Sequence, residues 1–181
     1  MLIRKVSVFL HATFHTQDRC VSLKSHQIMN IKIRNAELED LAELQNLFSD
    51  TIMETCQNEY SLNQRKVWSN AVKKTEKWNK SLKEEFFIVA ENDGMIVGFS
   101  SLKNENYLNL MYIHKDFTRK GIASRLYENI KTKSIEYGTK KLSADVSKTA
   151  RPFFEKLGFR VLKENKNIVD NEIVINYNMS E

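Results

Sequence analysis

A chain of 181 residues is long enough for one domain with a substantial core, and its 41% hydrophobic and 28% charged residues are the mix of an ordinary globular protein. No apolar run approaches the about 18 residues that cross a bilayer, so no membrane span is expected. The net charge is +5, but +3 of it lies in residues 1–30, where Arg4, Lys5, Arg19 and Lys24 face Asp18 alone; the body is therefore nearly neutral, which argues against a nucleic-acid-binding surface.

Residues 1–28 read differently from the rest. They hold three of the four histidines and one acid, with a short apolar patch from Val6 to Phe14 broken by His11. A signal peptide needs a cleaner apolar core and a small-residue cleavage site. The stretch reads as a leader or upstream extension outside the fold, with a natural start at Met29 and one domain over 29–181. An organelle-targeting leader is the alternative. Cys20 and Cys56 share no metal-ligand spacing, so no metal site is expected, and two unpaired thiols fit a reducing, cytoplasmic setting.

From Ile31 the pattern becomes orderly. Ile31, Ile33 and Ala36 alternate with Lys32 and Arg34, which predicts a strand. Asn35 is placed to cap a helix whose first turn carries Glu37, Glu39 and Asp40 against the dipole, with Leu38, Leu41, Leu44, Leu47 and Phe48 at helical spacing. Thr51 to Leu82 reads as more helix, broken near Ser61 and anchored by Tyr60, Trp68 and Trp78. Phe86–Ala90 is a strand, Asn92-Asp93-Gly94 a hairpin turn, and Met95–Leu102 the returning strand. Leu108–Ile113 is a short apolar strand. A basic turn, Thr118-Arg119-Lys120-Gly121, leads from it into a helix carrying Leu126, Tyr127 and Ile130, with Gly138 as its stop. Leu142–Val146 is a strand. The next helix runs through Phe153, Phe154 and Leu157 to a Schellman ending at Gly158-Phe159. Pro152 is tolerated only in that helix's first turn, which favours Thr149 over Ser147 as its cap. Arg160–Leu162 and Glu172–Tyr177 are the final strands.

The strand–turn–helix around Gly121 is the informative feature. Unpaired N–H groups of a first helical turn, with the macrodipole behind them, form an anion site. Gly121 has no side chain to hold a phosphate away, and Arg119 and Lys120 add charge. A pyrophosphate is the expected guest, although neither the P-loop nor the dinucleotide-binding fingerprint is present.

The downstream residues sharpen this. Val146-Ser147-Lys148-Thr149-Ala150-Arg151-Pro152-Phe153-Phe154-Glu155-Lys156-Leu157-Gly158-Phe159 resembles the second signature of the GNAT acetyltransferase superfamily. Thr118–Ala123 is similar to its acyl-CoA pyrophosphate loop, Gln/Arg-x-x-Gly-x-Gly/Ala. The bacterial branch with an Ala-Arg/Lys-Pro-Phe-Phe/Tyr-Glu signature fits best, and the resemblance covers Ile31 to Met179. It implies an α/β (α+β) fold with a largely antiparallel central sheet of about six to seven strands flanked by helices. It implies backbone contacts from Met111, Tyr112 and Ile113 to the pantetheine arm of acetyl-CoA, and pyrophosphate contacts from the N–H groups of Arg119, Lys120, Gly121, Ile122, Ala123 and Ser124.

The reaction implied is direct attack of an amine, on a small molecule or a protein, upon acetyl-CoA in a ternary complex. A strand N–H near Met111 is the implied oxyanion donor. Two positions depart from the pattern. Thr118 stands for Gln or Arg, with a hydroxyl placed to cap the helix. Phe154 stands where many members carry a tyrosine that protonates the leaving thiolate. Ser147, Tyr107 and Tyr127 are the alternative hydroxyls, Glu54 and Glu59 are candidate bases, and Asn109 occupies a position where some relatives carry glutamate; the catalytic residues stay unassigned. Tyr60 and Trp68 are candidate walls of the acceptor cleft, or alternatively core. A catalytically weak acyl-CoA-binding module is the second functional reading, motivated by Phe154. The acceptor and the oligomeric state, a homodimer included, stay open.

Overall fold

The structure is a computed structural model that describes residues 29–181. The expectations for the leader, Cys20 included, lie outside the described residues. Seven strands form one sheet in the order β1-β2-β3-β4-β5-β7-β6. They are β1 (Ile31–Asn35), β2 (Phe86–Asn92), β3 (Met95–Lys103), β4 (Tyr107–Ile113), β5 (Ser143–Ser147), β6 (Arg160–Val169) and β7 (Glu172–Ser180). Every pairing is antiparallel except β4 with β5.

Helices cover both faces. On one lie α1 (Leu41–Thr55), α2 (Leu62–Ser69) and α3 (Thr75–Glu84). Leu44, Leu47, Phe48, Ile52 and Trp78 of this layer pack on Phe87, Val89 and Phe99. On the other lie α4 (Ile122–Glu136) and α5 (Arg151–Lys156), where Ile122, Leu126, Ile130 and Phe154 pack on Ile88, Ala90, Val97 and Leu108. Burial on both faces is why Phe86–Ala90 reads as an unbroken apolar run instead of an alternation.

Three local expectations are corrected. Asn35 does not cap a helix; it is the last residue of β1, paired with Ile88. A 3-10 turn at Leu38–Asp40 precedes α1, and the Asp40 carboxylate accepts the Glu37 N–H at 2.8 Å. Thr149 does not cap α5. Ser147 Oγ accepts the Ala150 N–H at 3.1 Å, while the Thr149 hydroxyl donates to Glu59. The final strands are longer than their apolar residues indicate. β6 and β7 meet at Asp170-Asn171, whose φ values of 46° and 64° define a two-residue hairpin turn. β6 is almost wholly exposed, and its apolar residues Val161, Leu162, Ile168 and Val169 cluster at its two ends around a polar middle, so no hydrophobic period marks it.

Other signals hold. Ser61 caps α2 and accepts the Gln64 N–H at 3.2 Å. Gly158 has φ +94°, with Phe159 N–H donating to Phe154 O and Gly158 N–H to Glu155 O, which is the Schellman pair.

One ion-pair network joins the sheet edge to α1. Arg34 donates to both oxygens of Asp40 at 2.7 and 2.9 Å and to Glu91 at 2.9 Å. Its hydrogen bonds hold the Asp40 carboxyl below its ordinary value of 3.8, against the opposing effect of burial. A carboxyl whose pKa is lower folded than unfolded adds stability above the unfolded value and loses it as pH falls through the folded one. Asp40→Ala is therefore expected to cost about 2 kcal/mol at pH 7. In urea denaturation the gap between wild type and variant should shrink below about pH 4.

Candidate active site

The site begins with a break in pairing. β4 and β5 match only at Tyr107 with Ser143 and Leu108 with Ala144. On its other side β4 pairs Leu108 with Leu102 and Leu110 with Ser101, leaving Asn109 without a partner. Asn109 is thus a β-bulge, which bends its strand and ends regular pairing. Its effect on side-chain direction is visible. Leu108, Met111 and Ile113 pack toward α4, while Leu110 and Tyr112 pack toward α1. Beyond the bulge β4 parts from β5, and a cleft of about 470 Å³ opens between them.

The cleft ends at the start of α4. Gly121, with φ +79°, is the residue before the helix and supplies no side-chain cap. The first helical bond runs from Arg125 N–H to Gly121 O. The N–H groups of Ile122, Ala123 and Ser124 therefore lack helical acceptors, and all three residues line the cleft. Arg119, with φ +58°, is also left-handed, so the turn curls its amides around one space, a concavity suited to an anion. Gly121 is required by backbone conformation: a Cβ there would meet nothing within 4 Å, but φ +79° disfavours other residues.

Gly98 is a residue that sequence reasoning missed. A Cβ on it would lie 2.9 Å from Ile113 Cδ1, 3.1 Å from Tyr112 O and 3.3 Å from Ile122 Cγ2. Its bare backbone lets the first residue of α4 seat against β3 and β4. The signal was a lone glycine inside a strand, which marks close approach.

The strand edge is selective. His114 N–H donates across to Val97 O, so in the antiparallel alternation Tyr112 also turns its backbone toward β3. Met111 and Ile113 turn theirs toward the cleft. Ile113 O already accepts the Thr51 hydroxyl at 3.1 Å. Tyr112 contributes its ring instead, packed 4.7 Å from Phe48 and 5.4 Å from Phe99; burial pushes its phenol well above the ordinary value.

Of the residues expected here, Met111, Tyr112, Ile113, Arg119, Gly121, Ile122, Ala123, Ser124 and Trp68 line the cleft. Lys120 does not; its ammonium lies 4.6 Å from the Phe117 ring centroid. Thr118 lines the cleft but does not cap α4: the residue before the helix is Gly121, three positions on, and the Thr118 hydroxyl donates back to Lys115 O. Tyr60 stays outside. Buried against Trp68, it donates to Ile175 O at 2.6 Å and accepts the Lys148 N–H at 2.9 Å.

The candidate acids and bases separate in the same way. Phe154 is buried in the cleft wall and has no proton to give. Ser147 lines the cleft, whereas Tyr127 is turned under α4 and donates to Glu181. Tyr107 is not in the wall, and its phenol is pushed up to about 12, first by burial and then by Asp145. Glu54 and Glu59 are exposed. Cys56 lines the cleft, but burial raises its thiol pKa, the opposite of an activated nucleophile. Among the described residues no group of three or more His, Cys, Asp or Glu could hold a metal, and no helix is long and apolar enough to cross a membrane.

A mixed sheet that splays beside a parallel strand pair, with a glycine-started helix at the end of the gap, gives an open strand edge leading to an anion site. Comparison with known sequences gives the family. The Acetyltransferase (GNAT) domain family matches residues 56–180. The uncharacterized N-acetyltransferase YafP of Escherichia coli K12 is 32% identical over 137 residues, covering 76% of this chain and 86% of YafP. The GCN5-related N-acetyltransferase "Aminotransferase, Class-II" from Rhodopseudomonas palustris superposes with a TM-score of 0.81 at 25% identity, over 86% of this chain and 98% of its own. PaiA N-acetyltransferase from Thermoplasma acidophilum, solved with coenzyme A, has a TM-score of 0.69 at 21% identity, over 84% and 99% of the two chains, a likeness of fold. The chain belongs to the GNAT family and is an acetyl-CoA-dependent N-acetyltransferase.

The two hydrogen bonds of Tyr60 make it a tie between the α1–α2 connection and the β5–β7 half of the sheet. Tyr60→Phe should lower unfolding free energy by about 2 kcal/mol in urea titration while leaving acetyl-CoA affinity unchanged. A lost affinity with unchanged stability would return Tyr60 to the cleft wall.

Proposed function

We propose that acetyl-CoA lies in the β4–β5 cleft with its diphosphate on the N–H groups of Ile122, Ala123 and Ser124 and the turn at Arg119–Gly121. The pantetheine arm then runs along β4, bonding the outward backbone groups of Met111 and Ile113, and the acetyl end reaches the bulge at Asn109. The observation that carries this reading is the continuity of one cleft from the uncapped helix start to the point where β4 and β5 part. The donor set fits the guest. Unpaired amides and a helix dipole suit a diphosphate, and an unpaired strand edge suits the amides of the arm.

The acceptor is an amine, on a small molecule or a protein, entering from the side where Trp68, Thr55 and Cys56 form the wall. It attacks the thioester carbonyl directly. The Met111 N–H stabilises the developing oxyanion, and the fixed approach of two bound reactants supplies much of the acceleration. No acyl-enzyme is involved, since Cys56 has no activating partner. A thiolate leaves without assistance, a free thiol having a pKa of about 8.5. Phe154 therefore points to slower turnover by the same chemistry, because general acid catalysis contributes on the order of a hundred- to ten-thousand-fold. Ser147 is the hydroxyl in place to give part of it. Its oxygen accepts from Ala150 N–H, which leaves its own proton to donate.

Two substitutions test the placement. Gly121→Glu puts a carboxylate and a disfavoured φ at the diphosphate, and calorimetric affinity for acetyl-CoA should fall at least about 100-fold. Gly121→Ala retains the charge balance and should lose roughly 10-fold through backbone strain alone. Unchanged binding in both would move the diphosphate elsewhere.

A further inference from the structure

Asn109 has no pairing partner in the sheet, yet its side chain is firmly held. Its Nδ2 donates to both oxygens of Glu85, at 3.0 Å each. Glu85 sits at the junction of α3 and β2, and Ser81 and Ser101 hydroxyls donate to the same carboxylate at 3.0 and 2.7 Å. An ionised carboxylate only accepts, so it binds the NH2 end of the amide and repels the carbonyl end. The amide therefore has one orientation. Among the described residues no protein donor reaches Asn109 Oδ1, and Asn109 lines the cleft.

We propose that Asn109 Oδ1 receives the acceptor amine and that Glu85 is the positioning residue that fixes it. The inference rests on the reading under Proposed function. Phe86 and Leu102 pack toward α4 while Phe87 and Phe99 pack toward α1 and α3, so strand alternation puts Glu85 and Ser101 on the α1–α3 side, where Ser81 of α3 meets them. Asn109 is tied to that side at the bulge, where the strand edge ends. The carbonyl oxygen is thus offered to a molecule arriving across the cleft from the acetyl donor.

The charge arrangement favours an amine over an alcohol. None of the ion pairs among the described residues includes Glu85 or Asp145. Asp145 lies in the cleft wall beside the fork and is held by Asn165 and Asn178. Neutral donors satisfy these carboxylates without cancelling their charge. A carboxylate one hydrogen bond behind the amide polarises it and strengthens Oδ1 as an acceptor.

In the reaction Oδ1 accepts one N–H of the neutral amine, which aims the lone pair at the thioester carbon. The C–N bond forms and the C–S bond breaks. Sulfur departs with the electron pair, and the excess proton leaves the nitrogen through solvent to the thiolate. Asn109 neither gains nor loses a proton.

The test uses acetyl-CoA with spermidine, tyramine and a peptide bearing a free N-terminal alanine, read by thiol release. Asn109→Ala should lower kcat/KM for the amine about 10- to 100-fold, with calorimetric affinity for acetyl-CoA and thermal midpoint held near wild type. Glu85→Gln should give a smaller loss of the same kind. Asn109→Ala with Glu85→Gln should be no worse than Asn109→Ala, because Glu85 acts through Asn109. Unchanged amine kinetics in Asn109→Ala, or losses that multiply in full, would overturn the assignment while leaving the cofactor placement intact. If Asn109→Ala does not fold, a wild-type rate in Glu85→Gln overturns it equally. A wild type that shows no calorimetric binding of acetyl-CoA would instead bring down the cofactor placement on which this one rests.

Discussion

The structure depends on two strands being prevented from continuing their ladder. β4 and β5 pair through Leu108 and Ala144 and stop. Had pairing run on to Ile113, the backbone groups of Met111 and Ile113 would be satisfied by β5 and the cleft would be a closed sheet. The extra residue at Asn109 prevents it by turning the strand's direction and exchanging which side chains face which layer. An edge opened this way inside a sheet is a cost to the apo fold, since it leaves polar backbone groups without protein partners. The groups stay solvated because the cleft is open to water, and a strand-like ligand can replace that water.

The second constraint is where α4 begins. A helix start carries useful partial charge only over its first turn, so a shift of one residue would misplace the site. Three features pin it. Gly121 takes the left-handed conformation before the helix, and Gly98 removes the Cβ that would push Ile122 away. The Arg125 guanidinium donates to Ile31 O at 2.9 Å, tying the second turn of α4 to the start of β1. Lys120 lies over Phe117, and Arg119 bends the backbone of the turn with a left-handed φ of 58°.

Much of this was legible in the sequence because the signals were local. The break near Ser61, the Asn92-Asp93-Gly94 turn, the Gly158-Phe159 ending and the Gly121 helix start each depend on a few adjacent residues with strong conformational preferences. Strands buried on both faces announced themselves as apolar runs. β6 did not, because it is an exposed edge with almost nothing buried and a polar middle. The start of α5 was misplaced because Ser147 and Thr149 are both good caps by type, yet the residue before the helix is Ala150, which supplies no side-chain cap. Within the site, the bulge was hidden by Leu108, Leu110 and Met111, whose continuous apolar character fits any register. The contacts of Gly98 and Glu85 are tertiary, and no local pattern encodes them. Tyr60 was invisible for the same reason: its position in the chain fitted a cleft wall, but its hydroxyl is consumed by Ile175 and Lys148.

The two layers divide the chemistry. The α4 side offers a positive helix end and an uncapped turn, which suits the diphosphate of the donor. The α1–α3 side offers Glu85 behind Asn109, with Asp145 across the fork, which suits a nitrogen nucleophile. On the proposed reading, a substrate carrying a phosphate and one carrying an amine are drawn to opposite ends of the same cleft, with their reacting groups meeting at the bulge. Phe154 fits this division. On the proposed reading, with a hydrocarbon at Phe154 and Ser147 the one hydroxyl in place to give a proton, more of the acceleration falls on approach geometry and on the oxyanion donor of β4. Those are properties of backbone placement, set by the bulge and by Gly98 rather than by a titrating side chain. The residues that carry the proposed chemistry are therefore an unpaired asparagine and two glycines, none of which titrates.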